Sequence, residues 1–155
     1  MGLGSSDLQS KTRWMQATVV NETGLRLVFQ DTTYQFRTGR FWTAPGNIAA
    51  NSESTFSLCN KMFGVGVNGT IEYLIAADPA SPVTVSINCQ NEFFGDIRCS
   101  ASFLDNDRKA TKTATLTVDG VATNICIVCA PGNEPKVTIF CEKDPPAASA
   151  DATAT

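Results

Sequence analysis

With 155 residues, 43% of them hydrophobic, the chain has the length and composition of one folded domain with a real core. A net charge of −3 and a pI near 4.8 argue against a nucleic-acid binder, which would normally show a basic face. The twelve Lys and Arg are scattered rather than gathered into a polybasic anchor, and no apolar run approaches the ~18 residues of a transmembrane helix.

The opening MGLGSSDLQSKTRW has no charged n-region followed by an apolar h-region, so no secretory signal is read there. A cytoplasmic protein, or one released by an unconventional route, is expected, with peripheral membrane association open to it. MGLGSS also fits the short myristoylation pattern at Gly2 and Ser6, against the blander reading of a flexible start over residues 1–12. Thereafter helical periodicity is weak and alternation of period two recurs. WMQATVVN (14–21) reads as a first strand and LRLVFQ (25–30) as a second, with ETG between them as a hairpin or tight connection. TYQFRTGRFW (33–42) forms a third, with Gly39 as a bulge or bend. After the APGN turn come STFSLC (54–59), GTIEYLIAA (69–77) and PVTVSIN (82–88), the last two joined by DPAS. IRCSASF (97–103), TATLTV (113–118), TNICIVC (123–129) and KVTIFC (136–141) complete about ten short strands. Their regular spacing predicts a single all-β domain over 13–141, an antiparallel two-sheet sandwich. EKDPPAASADATAT (142–155) holds no large apolar residue to offset its ordering entropy and is expected to be disordered. NET (21–23) and NGT (68–70) match the glycosylation pattern but read as turn residues in a chain without a secretory signal.

Histidine is absent, which removes the commonest general base, the usual Ser–His and Cys–His pairs and most zinc catalysis. Asp105 and Asp107 in LDNDRK could pair for hydrolysis, but a solvated turn is the stronger reading. No nucleophile–base set is visible, so no enzyme, cofactor or metal is expected. Six cysteines remain: Cys59, Cys89, Cys99, Cys126, Cys129 and Cys141. They allow fifteen pairings, among which sequence cannot choose. Cys126 and Cys129 form a CxxC inside a β-branched strand, where residues three apart point to opposite faces. Redox and zinc CxxC pairs sit on turns, and zinc wants a second pair. Buried thiols, with one or two bridges among them, are the expectation.

The aromatic residues carry the functional question. Phe41 and Trp42 are adjacent, so a regular strand sends them to opposite faces unless Gly39 bulges it. Phe93 and Phe94 pose the same problem in a loop beside Gly95. Trp14, on an alternating strand, favours core or hairpin packing. With Tyr34, these six are the candidates for an exposed aromatic patch, which would mark a binding surface.

The order of these features resembles the aegerolysin family, small fungal and bacterial β-sandwich proteins. The matching segments are RWMQATVVNETG with Trp14, GRFWTAPGNIAANSESTF, GVGVNGTIEYLI, and INCQNEFFGD with Cys89 and Gly95. Together they span residues 13–141. The chain departs from the family around Cys89, in INCQNEFFGD. A Trp-Asp-Cys-Pro-Trp-Gly motif is replaced, its Trp positions falling at Ile87 or Asn88 and at Glu92 or Phe93. Cys99, Cys126, Cys129 and Cys141 also lie outside the family pattern. The resemblance implies a non-enzymatic protein that binds sphingolipid-type headgroups in membranes through loop aromatics. It also implies a lipid-recognition role in a two-component pore-forming cytolysin, beside a perforin-like partner. Aromatic rings favour the headgroup zone, and low net charge fits aromatic more than counter-ion attraction. A lectin-like carbohydrate- or protein-binding sandwich without lytic activity is the alternative, since exposed aromatics also stack on sugars.

Overall fold

Alternating side chains decide which face of each strand turns inward. In β1 (Trp14–Glu22) Met15, Ala17, Val19 and Asn21 are buried while Trp14, Gln16, Thr18 and Val20 are half-buried on the other face. The computed structural model describes residues 13–62, 64–75, 82–93 and 95–146. Within these follow β2 (Leu27–Phe29), β3 (Gln35–Thr38), β4 (Arg40–Thr43), β5 (Ser52–Cys59), β6 (Val67–Ile75) and β7 (Val83–Asn91). The chain continues through β8 (Arg98–Leu104), β9 (Ala110–Thr111), β10 (Thr113–Val118), β11 (Val121–Ala130) and β12 (Lys136–Cys141).

Two sheets result. The first has the order β10-β11-β12-β1-β5-β4, and the second β2-β6-β7-β8-β9, with β3 also on β6. Every pairing is antiparallel except β1 with β12. The inward faces meet in one core that includes Phe56, Leu58, Ile71, Tyr73, Ile87, Phe103, Ile127 and Ile139. Burial alone pushes the Tyr73 phenol well above its ordinary pKa, so it stays neutral. The expected two-sheet sandwich is therefore the fold, with twelve strands rather than about ten.

The two additional strands have separate causes. The expected third strand breaks at Gly39 into β3 on one sheet and β4 on the other. Gly39 has φ of +97°, and a Cβ there would stand 2.9 Å from the Cys59 carbonyl oxygen. Only glycine turns this corner without strain. The other addition, β9, pairs two residues with Phe103 and Leu104 and is too short to show as alternation. Of the hairpin or tight connection expected between the first two strands, the tight connection forms and the hairpin does not: β1 pairs with β5 and β12, while β2 lies in the other sheet. Asn21 holds this crossing. Its amide donates to the carbonyls of Leu25 (2.6 Å) and Ala49 (3.0 Å), and its oxygen accepts from the Thr23 backbone N–H and hydroxyl. Being fully buried, Asn21 cannot serve as a glycan acceptor in the folded chain. The Asn of NGT, Asn68, accepts from the Asn88 amide on the outer face of β6.

Glu142 and Asp144 are described and bonded through their backbone amides to the carbonyls of Asn124 and Cys141. The flexible start expected over residues 1–12, the DPAS turn, and residues 147–155 of the expected tail lie outside the described residues. Among the described residues no helix is long and apolar enough to cross a membrane.

Candidate interfacial site

β1 and β6 begin at one end of the sandwich, where β5 and β7 finish and the Gly39 corner turns. That end collects most of the candidate aromatics. Register places Trp14, Cys59 and Arg40 in one row across β1, β5 and β4, on the outer face of the first sheet. Trp14 and Arg40 are thus separated by one strand, roughly 10 Å. The core or hairpin packing expected for Trp14 is corrected here, because the inward face of β1 belongs to Met15 and Ala17.

A bulge resolves the adjacency of Phe41 and Trp42. Phe41 pairs with Leu58 and points inward, and the register then shifts before Thr43 pairs with Ser57. The Ser57 hydroxyl accepts the Thr43 N–H at 3.0 Å and makes good the disturbed ladder. Trp42 is the residue inserted at the shift. The Arg40 guanidinium carbon lies 5.3 Å from its ring centroid, so Trp42 shares the outer face with Arg40. The bulge thus falls at Trp42, whereas Gly39 makes the corner.

Phe41 joins a different group. Its ring stands 4.9 Å from Tyr34 and 4.8 Å from Phe36, both edge to face, and 6.4 Å from Phe29. Phe29 in turn meets Tyr34 at 6.3 Å and Tyr73 at 5.8 Å. These rings fill the seam where β4, the edge of one sheet, faces β2 and β3, the edge of the other. Gly69 makes room for the Phe36 ring, since a Cβ there would fall 2.7 Å from it. Tyr34 caps the cluster and is 41% exposed, the one aromatic among the described residues with so open a surface.

Phe93 is half-buried in the loop after β7. Arg13 reaches it twice, donating to its carbonyl at 3.2 Å and placing its guanidinium 5.0 Å from the ring centroid. Gly66 explains why the loop sits so close. A Cβ at Gly66 would stand 2.7 Å from the Phe93 nitrogen, so the two backbones pack directly. The carbonyl of Trp14 is tied down by the amides of Asn91 (3.0 Å) and Asn133 (2.9 Å). Phe94 lies outside the described residues.

Of the candidates, then, Trp14, Trp42 and Phe93 share one end, while Tyr34 and Phe41 belong to the seam. Sequence reasoning missed the residues that complete the end. Met62, 64% exposed, lies in the loop leaving β5, and Arg13, Arg37, Arg40, Lys61 and Arg98 stand at the same end, with Glu92, Asp96 and Glu134 also there. Glu22, Glu53, Asp105, Asp107, Glu142 and Asp144 stand at the opposite end with Arg26, Arg108, Lys109 and Lys143, so in a chain with a net charge of −3 cations outnumber acids at one pole and acids outnumber cations at the other. The signal available was positional: the cations bracket the aromatics in RW, RTGRFW and EFFGDIR. Asp105 serves as a turn residue, its carboxylate accepting the N–H groups of Asp107 and Lys109. Cys126 and Cys129 take opposite faces of β11, paired with Phe140 and Val137 respectively. Cys59 is buried, Cys141 half-buried, and Cys89 and Cys99 are direct cross-strand neighbours. Among the described residues no group of His, Cys, Asp and Glu is arranged to hold a metal ion.

No protein-family model and no curated protein matches the chain. Among solved structures it is similar to the lipid binding protein Nakanori, at 13% identity and a TM-score of 0.52, over 82% of this chain and 69% of that one. It also matches the wild-type lectin XCL of Xerocomus chrysenteron at 13% identity and a TM-score of 0.33, over 83% of this chain and 99% of that one. The first likeness is one of fold, and the second is too distant to carry an argument.

Proposed function

We propose that the chain is a non-enzymatic binding protein that docks on lipid membranes through the end carrying Trp14, Trp42, Phe93 and Met62. The observation that carries this reading is the company these side chains keep. Half-buried aromatic rings, an exposed methionine and more cations than acids share one end of the sandwich. Such a surface places apolar area at headgroup depth and directs guanidinium donors at phosphates. Nakanori, a lipid binding protein, has a similar sandwich, which agrees with this reading. The aegerolysin-like form of it, with sphingolipid headgroups as ligands, rests on the order of the sequence motifs. A lytic role beside a perforin-like partner is a further step of that form.

Vesicle co-sedimentation tests the proposal. Vesicles of phosphatidylcholine alone, with sphingomyelin and cholesterol, and with an anionic phospholipid form the panel. Binding to at least one mixture is expected, with Trp42→Ala and Phe93→Ala each weakening it several-fold at unchanged fold. Absence of binding to every mixture would remove the lipid reading. Leakage caused by this protein alone would argue against dependence on a partner. A carbohydrate-binding reading is favoured by one separate feature, the exposed Tyr34 at the seam, which offers a ring for stacking on a sugar. Glycan binding lost in Tyr34→Ala, without vesicle binding, would put that reading first.

A further inference from the structure

An edge strand presents a row of N–H and C=O groups that another strand can pair with, unless something blunts it. Among the described strands the two sheets have four edges. Three are blunted. β4 is four residues long, carries Arg40 and is bulged at Trp42. β2 and β3 share the next edge, at three and four residues, with Arg37 and a register shift after Phe36. β9 has two residues, beside Lys109 and Lys112. β10 is different. Its six residues, TATLTV, include no charge, no proline and no bulge. They pair with β11 in unbroken register from Thr113 with Cys126 to Val118 with Val121.

The hairpin turn fixes which backbone groups of β10 point outward. Asp119 and Gly120 join β10 to β11, both at positive φ (50° and 78°), as a tight two-residue hairpin requires. The residues flanking such a turn, Val118 and Val121, exchange backbone hydrogen bonds, and bonded pairs recur at every second position. The Lys112 carbonyl accepts the Ile127 N–H at 3.2 Å, which carries the same phase to the start of the strand. Ala114, Leu116 and Val118 therefore bond to β11. The N–H and C=O groups of Thr113, Thr115 and Thr117 point away from it, and among the described residues they meet no hydrogen-bond partner. The side chains of these three threonines are exposed, while Leu116 is buried.

We propose that β10 is a self-association surface, at which two copies of the chain pair edge to edge and antiparallel about a two-fold axis at Thr115. The spacing of the outward groups favours a second copy as the occupant. In this register Thr113 of one copy opposes Thr117 of the other, and Thr115 opposes Thr115. Each of these pairs exchanges two backbone hydrogen bonds. A slip of one residue sets outward groups against ones already bonded to β11, and a slip of two loses one of the pairs. The outward side chains meet as Thr–Thr pairs, which are favourable across strands, and no like charges face each other. Beyond the strand ends Lys112 falls opposite Val118 and Asp119 opposite Thr111, so the nearest charges are of opposite sign. The contact is isologous and closes at two copies. One six-residue edge is small against the ~1,200–2,000 Å² of stable interfaces, so the association is reversible and concentration-dependent. Antiparallel pairing turns the copies end for end. Under the membrane reading above, the ends carrying Trp14 and Trp42 then face apart, but the pairing itself does not rest on that reading.

Sedimentation equilibrium of the full chain, under reducing conditions and without lipid, tests the proposal. The weight-average mass should rise from 16.5 kDa at micromolar concentration towards twice that value in the millimolar range. Thr115→Lys sets two like charges on the axis and should weaken association at least ~10-fold, as should Thr115→Glu. An equimolar mixture of these two variants should recover it, because opposite charges then meet on the axis. Thr115→Pro removes an outward N–H that β11 does not use, and should abolish pairing with the hairpin intact. Thermal melts by circular dichroism check that each variant folds, and the charge variants suffice if the proline disturbs the strand. A mass of 16.5 kDa at every concentration would overturn the proposal. So would association unchanged in Thr115→Lys, no recovery in the mixture, or a mass that climbs past two copies.

Discussion

Phe41 and Trp42 are chemical near-equivalents one residue apart, yet they end in different surroundings. Phe41 is ringed by Phe29, Tyr34 and Phe36 at the seam between sheets. Trp42 lies on the outer face under the guanidinium of Arg40. The seam rings touch one another and close the sandwich where hydrogen bonding stops. The rings at the strand ends, Trp42 and Phe93, each carry an arginine and are half-buried. Residue type does not separate the two sets. The corner at Gly39 and the register shift after Phe41 do, because together they reset which side chain faces in.

The largest effect should come from emptying the seam. Phe41→Ala removes a ring from a packed cluster and leaves a cavity between two edges. A loss of about 3 kcal/mol is expected, the lower end for such truncations because Phe41 is only half-buried. In a thermal melt this is a fall of about 9 °C. Vesicle binding measured well below the melting temperature should be unchanged. A variant that melts normally but no longer binds would merge the two sets and break the distinction.

Gly39→Ala should rank next, at about 2 kcal/mol. The added Cβ must accept a φ of +97° and a contact of 2.9 Å with the Cys59 carbonyl oxygen. The corner serves both regions, since Phe36 and Phe41 flank it on the seam side and Arg40 and Trp42 on the outer side. Stability and vesicle binding should therefore fall together. Stability lost with binding intact would show that the outer face does not need the corner.

How far these surroundings were legible in the sequence differs by region. Alternation in segments such as WMQATVVN and KVTIFC was enough for the strands and the two-sheet class, because period two maps directly onto inside and outside. The seam was not legible. It depends on a chain that leaves one sheet and enters the other at Gly39, and a glycine in a strand pattern is equally consistent with a bulge, a bend or a corner. Trp14 was misplaced because its neighbours alternate cleanly. The pattern shows that Trp14 opposes Met15, but which of them faces the core is decided by β5 and β12 on either side. The basic pole was hidden by the net charge, which averages over ends that folding separates.

Trp42→Ala should cost about 1 kcal/mol, since the ring is half-buried and its loss opens no interior cavity. A fall of more than about 6 °C in melting temperature would place Trp42 energetically with the seam rings. The smallest change in stability should be that of Arg40→Gln, within about 0.5 kcal/mol, because Arg40 is exposed and its main partners are the Trp42 ring and the Phe41 carbonyl. Its effect on binding should nevertheless be measurable. Each basic residue near an anionic surface contributes about 1 kcal/mol, so a loss of roughly five-fold is expected on vesicles containing an anionic phospholipid at low salt. The loss should shrink as salt is raised, because the Debye length falls from about 10 Å at 0.1 M to about 3 Å at 1 M. Trp42→Ala should behave oppositely and keep its defect at high salt, since the burial of a ring is not screened. If both variants lose binding with the same salt dependence, the arginine acts only by holding the indole, and the basic pole has no direct part in meeting the membrane.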